Sequence, residues 1–117
     1  MFTVDHTSGV TLYEQLIRQF RGQLEAGTLI AGTQLPTVRQ LAAELSVAPY
    51  TVARVYRALE ADGFVETLGR NGTVVKATDQ TANQLLQLAA SQYAARAREL
   101  GIDSPTAAGY ISAALEA

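Results

Sequence analysis

Residues 35–75 read LPTVRQLAAELSVAPYTVARVYRALEADGFVETLGRNGTVV, and this stretch decides the fold. Its pattern predicts two short helices separated by a tight turn, followed by a two-stranded hairpin whose tip is residues 69–72. A helix-turn-helix with such a wing is shaped to place one helix in the DNA major groove and a basic loop beside it. The stretch therefore predicts a nucleic-acid-binding head.

Both helices of this stretch have recognisable start signals. Thr37 and Gln40 have the spacing of a capping box, in which each side chain satisfies a main-chain amide of the other residue. Residues 46–48 are the predicted turn, and Pro49 suits the first position of the next helix because its missing amide would be unpaired there. That helix should direct four residues toward the core: Val52, Val55, Tyr56 and Leu59.

Another helix is predicted on the N-terminal side. Thr11 and Glu14 again have capping-box spacing, and Gly27 is a typical helix stop. Residues 1–10 resemble an extended lead-in with a solvated His6, and residues 28–36 a connector. The apolar residues at helical spacing are Leu12, Leu16, Ile17, Phe20 and Leu24.

Two more helices are predicted on the C-terminal side. Asp79 can cap a long helix that runs to Leu100, and Ser104 followed by Pro105 can start a last helix that runs to about Glu116. We therefore expect an α+β, mainly α chain. A winged helix-turn-helix DNA-binding domain of three helices plus a β-hairpin should occupy residues 1–78, and a two-helix dimerisation extension residues 79–117.

The composition narrows the class of protein. The chain has 117 residues and is 48% hydrophobic, which suits one compact domain with a core. No apolar run approaches the ~20 residues that span a bilayer. Without cysteine the chain has neither a disulfide nor a thiolate metal site, and His6 is the single histidine. We expect no cofactor, no metal and no enzymatic activity, and a cytoplasmic location.

The net charge of −2 argues at first against nucleic acid as a partner. However, residues 1–78 carry seven Lys/Arg and seven Asp/Glu, so the whole deficit lies in residues 79–117. Binding responds to the local potential rather than to the total charge. A neutral head predicts modest affinity for each subunit, which favours a dimer with two reading heads.

The outward side of the second motif helix holds the main candidate DNA contacts. At ~100° per residue, Tyr50, Arg54 and Arg57 lie opposite the core-facing residues. Arginine can donate two hydrogen bonds to guanine, while threonine or tyrosine hydroxyls and helix-start amides bind phosphates. The alternative is that these side chains are ordinary solvated residues of a surface helix.

Candidates outside this helix lie at the start of the preceding helix and at the hairpin tip. Arg39 is a candidate clamp on the DNA backbone or contact at the groove edge, unless it pairs with Glu44. Arg70, at the hairpin tip, is a candidate for the minor groove, where the potential is most negative, unless it is a solvated loop residue. The complete set of DNA-binding candidates is Thr37, Arg39, Pro49, Tyr50, Thr51, Arg54, Arg57, Arg70, Asn71 and Gly72.

Each of the two C-terminal helices has a stripe of apolar residues that should be buried against another surface. One alternative is packing onto their own domain, and the other is a two-fold interface between copies of the chain. Abundant alanine permits close helix approach and favours the dimer, which would prefer an inverted-repeat operator. The predicted interface comprises Leu85, Leu86, Ala89, Tyr93, Ala97, Ile111 and Leu115.

Four motifs, taken in their order along the chain, resemble those of a known family. They are Leu35-Pro36-Thr37-x-Arg39-x-Leu41-Ala42, Thr51-Val52, Leu59-Glu60-Ala61-x-Gly63 and Gly69-x-x-Gly72-Thr73-x-Val75. Over residues 10–76 the chain resembles the GntR family of bacterial transcriptional regulators. Tyr56 and the short tail are most similar to its YtrA-like subfamily.

The resemblance implies a winged-helix DNA-binding domain, dimerisation through the C-terminal helices, and usually repression of transcription. It implies DNA contacts at Arg39, Thr51, Arg54 and Arg70. The chain departs from the family at Ala48 and Tyr50, where asparagine is common, so the third helix should be poorly capped and its base preference different.

Two other functions stay open on these residues. A winged helix can bind protein instead of DNA, and the neutral charge of the head supports that alternative. The chain also resembles the head of larger aminotransferase-like regulators, although capped helices follow the head here and offer no cofactor lysine. A small-molecule effector at the dimer interface also stays open, although no residue cluster points to one.

Overall fold

The computed structural model describes residues 2–69, 72–78 and 81–117. Three helices and a hairpin form the head, and two helices follow it, which confirms the predicted α+β architecture. The elements are α1 (Leu12–Ala26), α2 (Val38–Leu45), α3 (Pro49–Ala61), β1 (Val65–Thr67), β2 (Thr73–Val75), α4 (Ala82–Glu99) and α5 (Ser104–Glu116).

The starts of α1 and α2 differ in how completely they are capped. In α2 the Thr37 hydroxyl accepts from the Gln40 amide at 3.1 Å, and the Gln40 side chain accepts from the Thr37 amide at 3.0 Å. In α1 the Thr11 hydroxyl accepts from the Glu14 amide, but the Glu14 carboxylate accepts from Arg18 Nε at 3.2 Å. The capping box predicted for α1 is therefore formed only by its threonine half, because an arginine one turn later binds the carboxylate.

The core lies between α1, α2, α3 and the hairpin. All four predicted core residues of α3 are buried, and Val52 is completely inaccessible. The Tyr56 hydroxyl donates to the carbonyl oxygen of Pro36 at 2.6 Å, which links α3 to the residue before the cap of α2. Burial, with the nearby charge of Glu44, raises the pKa of Tyr56 above its ordinary value. This bond fixes the two motif helices relative to each other.

Residues 28–36 connect α1 to α2, as predicted, and part of this connector pairs with β2. The strands β1 and β2 pair antiparallel, and Gln34 forms a bridge to Val74 on the other edge of β2. The Leu35 amide donates to the Thr73 carbonyl and the Val75 amide to the Thr33 carbonyl, each at 2.8 Å. The segment is thus a connector as predicted, and its pairing with β2 is an addition that no local pattern of β-branched residues indicates.

The lead-in is packed against the head rather than merely extended. The Phe2 ring stacks on Phe20 with centroids 6.5 Å apart. The side chains of Gln15 and Gln19 bind the main chain of the lead-in. His6 is exposed as predicted, but its Nε2 lies 3.1 Å from the carbonyl oxygen of Leu45. The lead-in thus lies along α1 and reaches the end of α2.

The C-terminal helices begin at other residues than predicted. The N-cap of α4 is Thr81, whose hydroxyl accepts from the Gln84 amide at 3.2 Å, and the predicted cap Asp79 lies outside the described residues. Asp103, not Ser104, caps α5: its carboxylate accepts from the Thr106 amide at 2.9 Å. Hydrogen bonds from Thr106 lower the pKa of Asp103. At both positions the cap is the residue whose side-chain oxygen reaches the third residue of the helix.

Two side chains of α4 form hydrogen bonds with the main chain of Ala31 in the connector. The Ala31 amide donates to Gln87 Oε1 at 3.1 Å, and the Ser91 hydroxyl donates to the Ala31 carbonyl at 2.7 Å. Gly32 has φ +86, and a Cβ atom there would lie 2.8 Å from the Ser91 Cβ. The connector therefore links the sheet of the head to α4.

Candidate nucleic-acid interface

One side of α3 faces the core and the other is open to solvent. Tyr50 is 67% exposed, Arg54 and Arg57 are exposed, and Thr51 is half-buried near the helix start. We call these four residues the recognition face. The structure thus exposes Tyr50, Arg54 and Arg57, the three residues of α3 that sequence reasoning placed opposite the core, with Thr51 beside them.

The start of α3 is uncapped by a side chain, as the sequence predicted. Ala48 is the N-cap and forms no side-chain capping bond, and Pro49 follows as the first helical residue. Ser46 ends α2 with φ 54, which turns the chain sharply between the two helices. Because the N-terminal end of a helix carries partial positive charge, it attracts phosphate oxygens when no side chain occupies it.

The arginines of the motif differ from those elsewhere in their ion pairing. No carboxylate of residues 2–69, 72–78 or 81–117 forms an ion pair with Arg39, Arg54 or Arg57, so the alternative pairing of Arg39 with Glu44 is not observed. The positive charge of these three arginines is therefore not offset by a described ion pair. The ion pairs are Arg18–Glu14 at 3.2 Å, Arg21–Asp62 at 3.3 Å and Arg96–Glu99 at 3.0 Å.

Both arginines of the recognition face lie over tyrosine rings. The guanidinium carbon of Arg54 is 4.4 Å from the ring centroid of Tyr13, and that of Arg57 is 6.0 Å from the ring centroid of Tyr50. Sequence reasoning missed Tyr13 because no local pattern shows that the start of α1 reaches the outer edge of α3. A cation over an aromatic face is stabilised without a carboxylate, and no described carboxylate is paired with either guanidinium group.

The remaining candidates flank the recognition face at α2 and at the wing. Arg39 is exposed in the first turn of α2, whereas the Thr37 hydroxyl is already used in the capping box. The hairpin tip is closed by the Leu68 amide, which donates to the Gly72 carbonyl at 2.7 Å. Arg70 and Asn71 lie outside the described residues.

The C-terminal helices expose several apolar side chains. Leu86 and Leu115 are 72% and 81% exposed, and Leu85, Ala89 and Ile111 are also exposed. Two other predicted interface residues, Tyr93 and Ala97, are half-buried. The Tyr93 hydroxyl donates to the Ala107 carbonyl of the same chain at 2.7 Å, so this side chain joins α4 to α5.

Within the described ranges, no group of three His, Cys, Asp or Glu side chains is arranged to hold a metal ion. None of the helices described is both long and apolar enough to cross a membrane.

Comparison with known proteins agrees with this geometry. Residues 12–75 match the family model described as bacterial regulatory proteins, gntR family. The chain belongs to the gntR family. It is a transcriptional regulator with a helix-turn-helix DNA-binding domain and not an enzyme.

Two relatives of this gntR-family chain are similar over most of its length. It is 44% identical over 109 residues to the HTH-type transcriptional regulator Rv1152 of Mycobacterium tuberculosis, which covers 93% of this chain and 89% of that protein. It is 36% identical over 81 residues to the HTH-type transcriptional repressor YtrA of Bacillus subtilis, covering 69% and 62%.

A solved structure supports the same assignment of the fold. The gntR-family chain superposes on the GntR-family transcription factor YtrA from Sulfolobus acidocaldarius with a TM-score of 0.58 and 28% identity, covering 79% of this chain and 95% of that one. The family and the YtrA-like subfamily expected from the sequence motifs are both confirmed.

Proposed function

We propose that this protein is a homodimeric transcriptional repressor that binds an inverted-repeat operator through α3 and the wing of each protomer. The observation that carries the proposal is the recognition face, in which Tyr50, Arg54 and Arg57 are exposed, neither arginine forms a described ion pair, and the opposite side of α3 is buried. We further propose that residues 1–78 form the DNA-binding domain and residues 79–117 the dimerisation extension.

The recognition face supplies the donors that DNA reading requires. We assign Arg54 to a base edge in the major groove, because a guanidinium can donate two parallel hydrogen bonds to guanine O6 and N7. We assign Tyr50, Thr51 and the open start of α3 to phosphates, with Arg57 beside them. Such phosphate contacts fix the position of the helix in the groove, while the base contact supplies specificity.

The elements on either side extend this interface along the DNA. Arg39, exposed in the first turn of α2, is assigned to the backbone near the groove edge. We assign Arg70, Asn71 and Gly72 to the wing contact, with Arg70 entering the minor groove, where a cation is most strongly attracted.

We propose that a second copy of the chain packs against the outer surface of α4 and α5. Leu86 and Leu115 are among the most exposed apolar side chains described, and an uncovered leucine surface of this kind favours association. A two-fold dimer presents two copies of α3, and therefore prefers an inverted repeat. The role as a repressor is supported by the similarity to the Bacillus subtilis repressor YtrA. We also propose a cytoplasmic location, because a bacterial regulator of transcription acts on DNA there.

Selection from random double-stranded oligonucleotides with the purified protein tests this proposal. The expected product is an inverted repeat whose affinity falls steeply with salt, because binding releases counterions from the phosphates. The alternative is a winged helix that binds protein, which the neutral charge of residues 1–78 favours. Failure to enrich any sequence, with weak binding that does not depend on salt, would support that alternative instead.

A further inference from the structure

We propose that Tyr13 is a positioning residue for base reading: its ring holds the Arg54 guanidinium at the outer edge of α3, oriented to donate to a base. This inference rests on the proposed function, since it assigns a supporting part to the same interface. Tyr13 lies on α1, outside the helix-turn-helix, and neither the motifs nor the family match assigns it a role.

The Tyr13 ring belongs to α1 and packs against the core. Tyr13 is half-buried in the first turn of α1 and packs against the core cluster. One turn later, Leu16 is buried in the same cluster as Val52 and Val55 of α3. Because α1 and α3 pack through these residues, the ring has a fixed position relative to Arg54.

The distance favours a cation–π interaction. The guanidinium carbon of Arg54 lies 4.4 Å from the ring centroid, well within the ~6 Å over which a cation is attracted to an aromatic face. A guanidinium stacked on a ring keeps the N–H groups in its plane available as donors. Restricting an arginine in this way before binding removes part of the conformational cost of ordering it on the DNA.

Arg57 provides a contrast on the same helix. Its guanidinium lies 6.0 Å from the ring of Tyr50, at the edge of the range, and that ring is 67% exposed on α3 itself. Arg57 therefore contacts a solvated tyrosine ring, whereas Arg54 contacts a tyrosine ring that packs against the core. The Tyr13 pair is the one built to hold a fixed geometry.

The first measurement uses the free full-length protein and needs no DNA. In NMR spectra the Arg54 side-chain protons should be shifted upfield by the ring current of Tyr13. The shift should be lost in Tyr13→Leu, which keeps an apolar side chain without an aromatic face, and kept in Tyr13→Phe. Tyr50→Leu is the matched control and should leave the Arg54 resonances unmoved. An Arg54 shift that is the same in Tyr13→Leu overturns the stacking.

The second measurement is a double-mutant cycle on the selected operator. Tyr13→Leu should weaken operator binding by about two- to fivefold, corresponding to an exposed cation–π interaction. Tyr13→Phe should restore it, and Tyr13→Leu should have no further effect in an Arg54→Ala background. A purely structural role would lower affinity equally in both backgrounds, which would overturn the proposal.

Two other outcomes also overturn the positioning role. If Tyr13→Phe loses as much affinity as Tyr13→Leu, the hydroxyl contacts DNA directly. If Tyr13→Leu binds more tightly than the parent, the ring withholds Arg54 from the operator. The proposed function fails separately: an Arg54→Ala variant with unchanged operator preference would refute base reading by Arg54, even where the ring-current shift is present.

Discussion

Two exposed surfaces of this protein differ in their chemistry and in how many residues the helices beneath them bury. One is the recognition face of α3, and the other is the outer side of α4 and α5. The α3 helix buries four residues on its inner side, whereas α4 buries none and α5 only Ala107. The recognition face is polar and cationic, while the surface of α4 and α5 exposes leucines. The recognition face thus lies on a helix whose other side is buried in the core, whereas α4 and α5 keep large apolar side chains exposed.

Truncation after residue 78, which removes α4 and α5, should have the largest effect. We expect a folded monomeric head whose operator affinity is lower by about 10²–10⁴-fold, because the second head no longer binds as part of one molecule. Sedimentation and operator titration measure both properties. Leu86→Asp in the full chain should reproduce the monomer without altering the head. Wild-type affinity in the truncated head would refute the dimer.

Gly32→Ala tests the joint between the two regions. The substitution places a Cβ atom 2.8 Å from the Ser91 Cβ at a residue with φ +86, so we expect the free energy of unfolding to fall by about 1–3 kcal/mol. Chemical denaturation measures this change. Gly27→Ala is the matched control, since φ there is +75 but no atom lies within 4 Å of the added Cβ. Equal losses in the two variants would show that the close approach of α4 contributes nothing.

Tyr56→Phe tests a bond inside the head and should have the smallest effect. Loss of the hydrogen bond to the Pro36 carbonyl should lower the free energy of unfolding by about 1 kcal/mol at neutral pH. The pKa of Tyr56 is raised on folding, so its contribution is complete below the unfolded pKa of about 10 and is lost as the pH rises above that value. Denaturation at increasing alkaline pH should show a loss of stability in the parent that is smaller in Tyr56→Phe. Identical alkaline profiles would contradict this assignment.

Local signals predicted the elements of the head and tertiary contacts determined the rest. Pro49, the capping pair Thr37–Gln40 and the apolar spacing of α3 were sufficient because each acts within a few residues. The pairing of Gln34 with Val74 and the approach of Ser91 to Ala31 join residues far apart in the chain, which no local pattern encodes. The cap of α5 was misplaced by one residue because Asp103 and Ser104 both have capping side chains.

The candidate site, like the fold, was predictable where helical periodicity decides it and not where tertiary packing does. The outward position of Tyr50, Arg54 and Arg57 follows from helical periodicity once the core side of α3 is known. The ring of Tyr13 under Arg54 depends on how α1 packs across α3, so only the structure could show it.

The central claim is that Arg54 contacts a base edge in each half of a symmetric operator. Repeating the oligonucleotide selection with Arg54→Ala and with Arg39→Ala tests it most directly. Arg54→Ala should lose base preference at one symmetric position in each half-site, with about a 5- to 150-fold loss of affinity for the parent operator. Arg39→Ala should bind the parent operator more weakly, but selection with this variant should return the same sequence as selection with the parent protein. If Arg54→Ala selects the same sequence as the parent, the outer side of α3 does not read DNA as we propose.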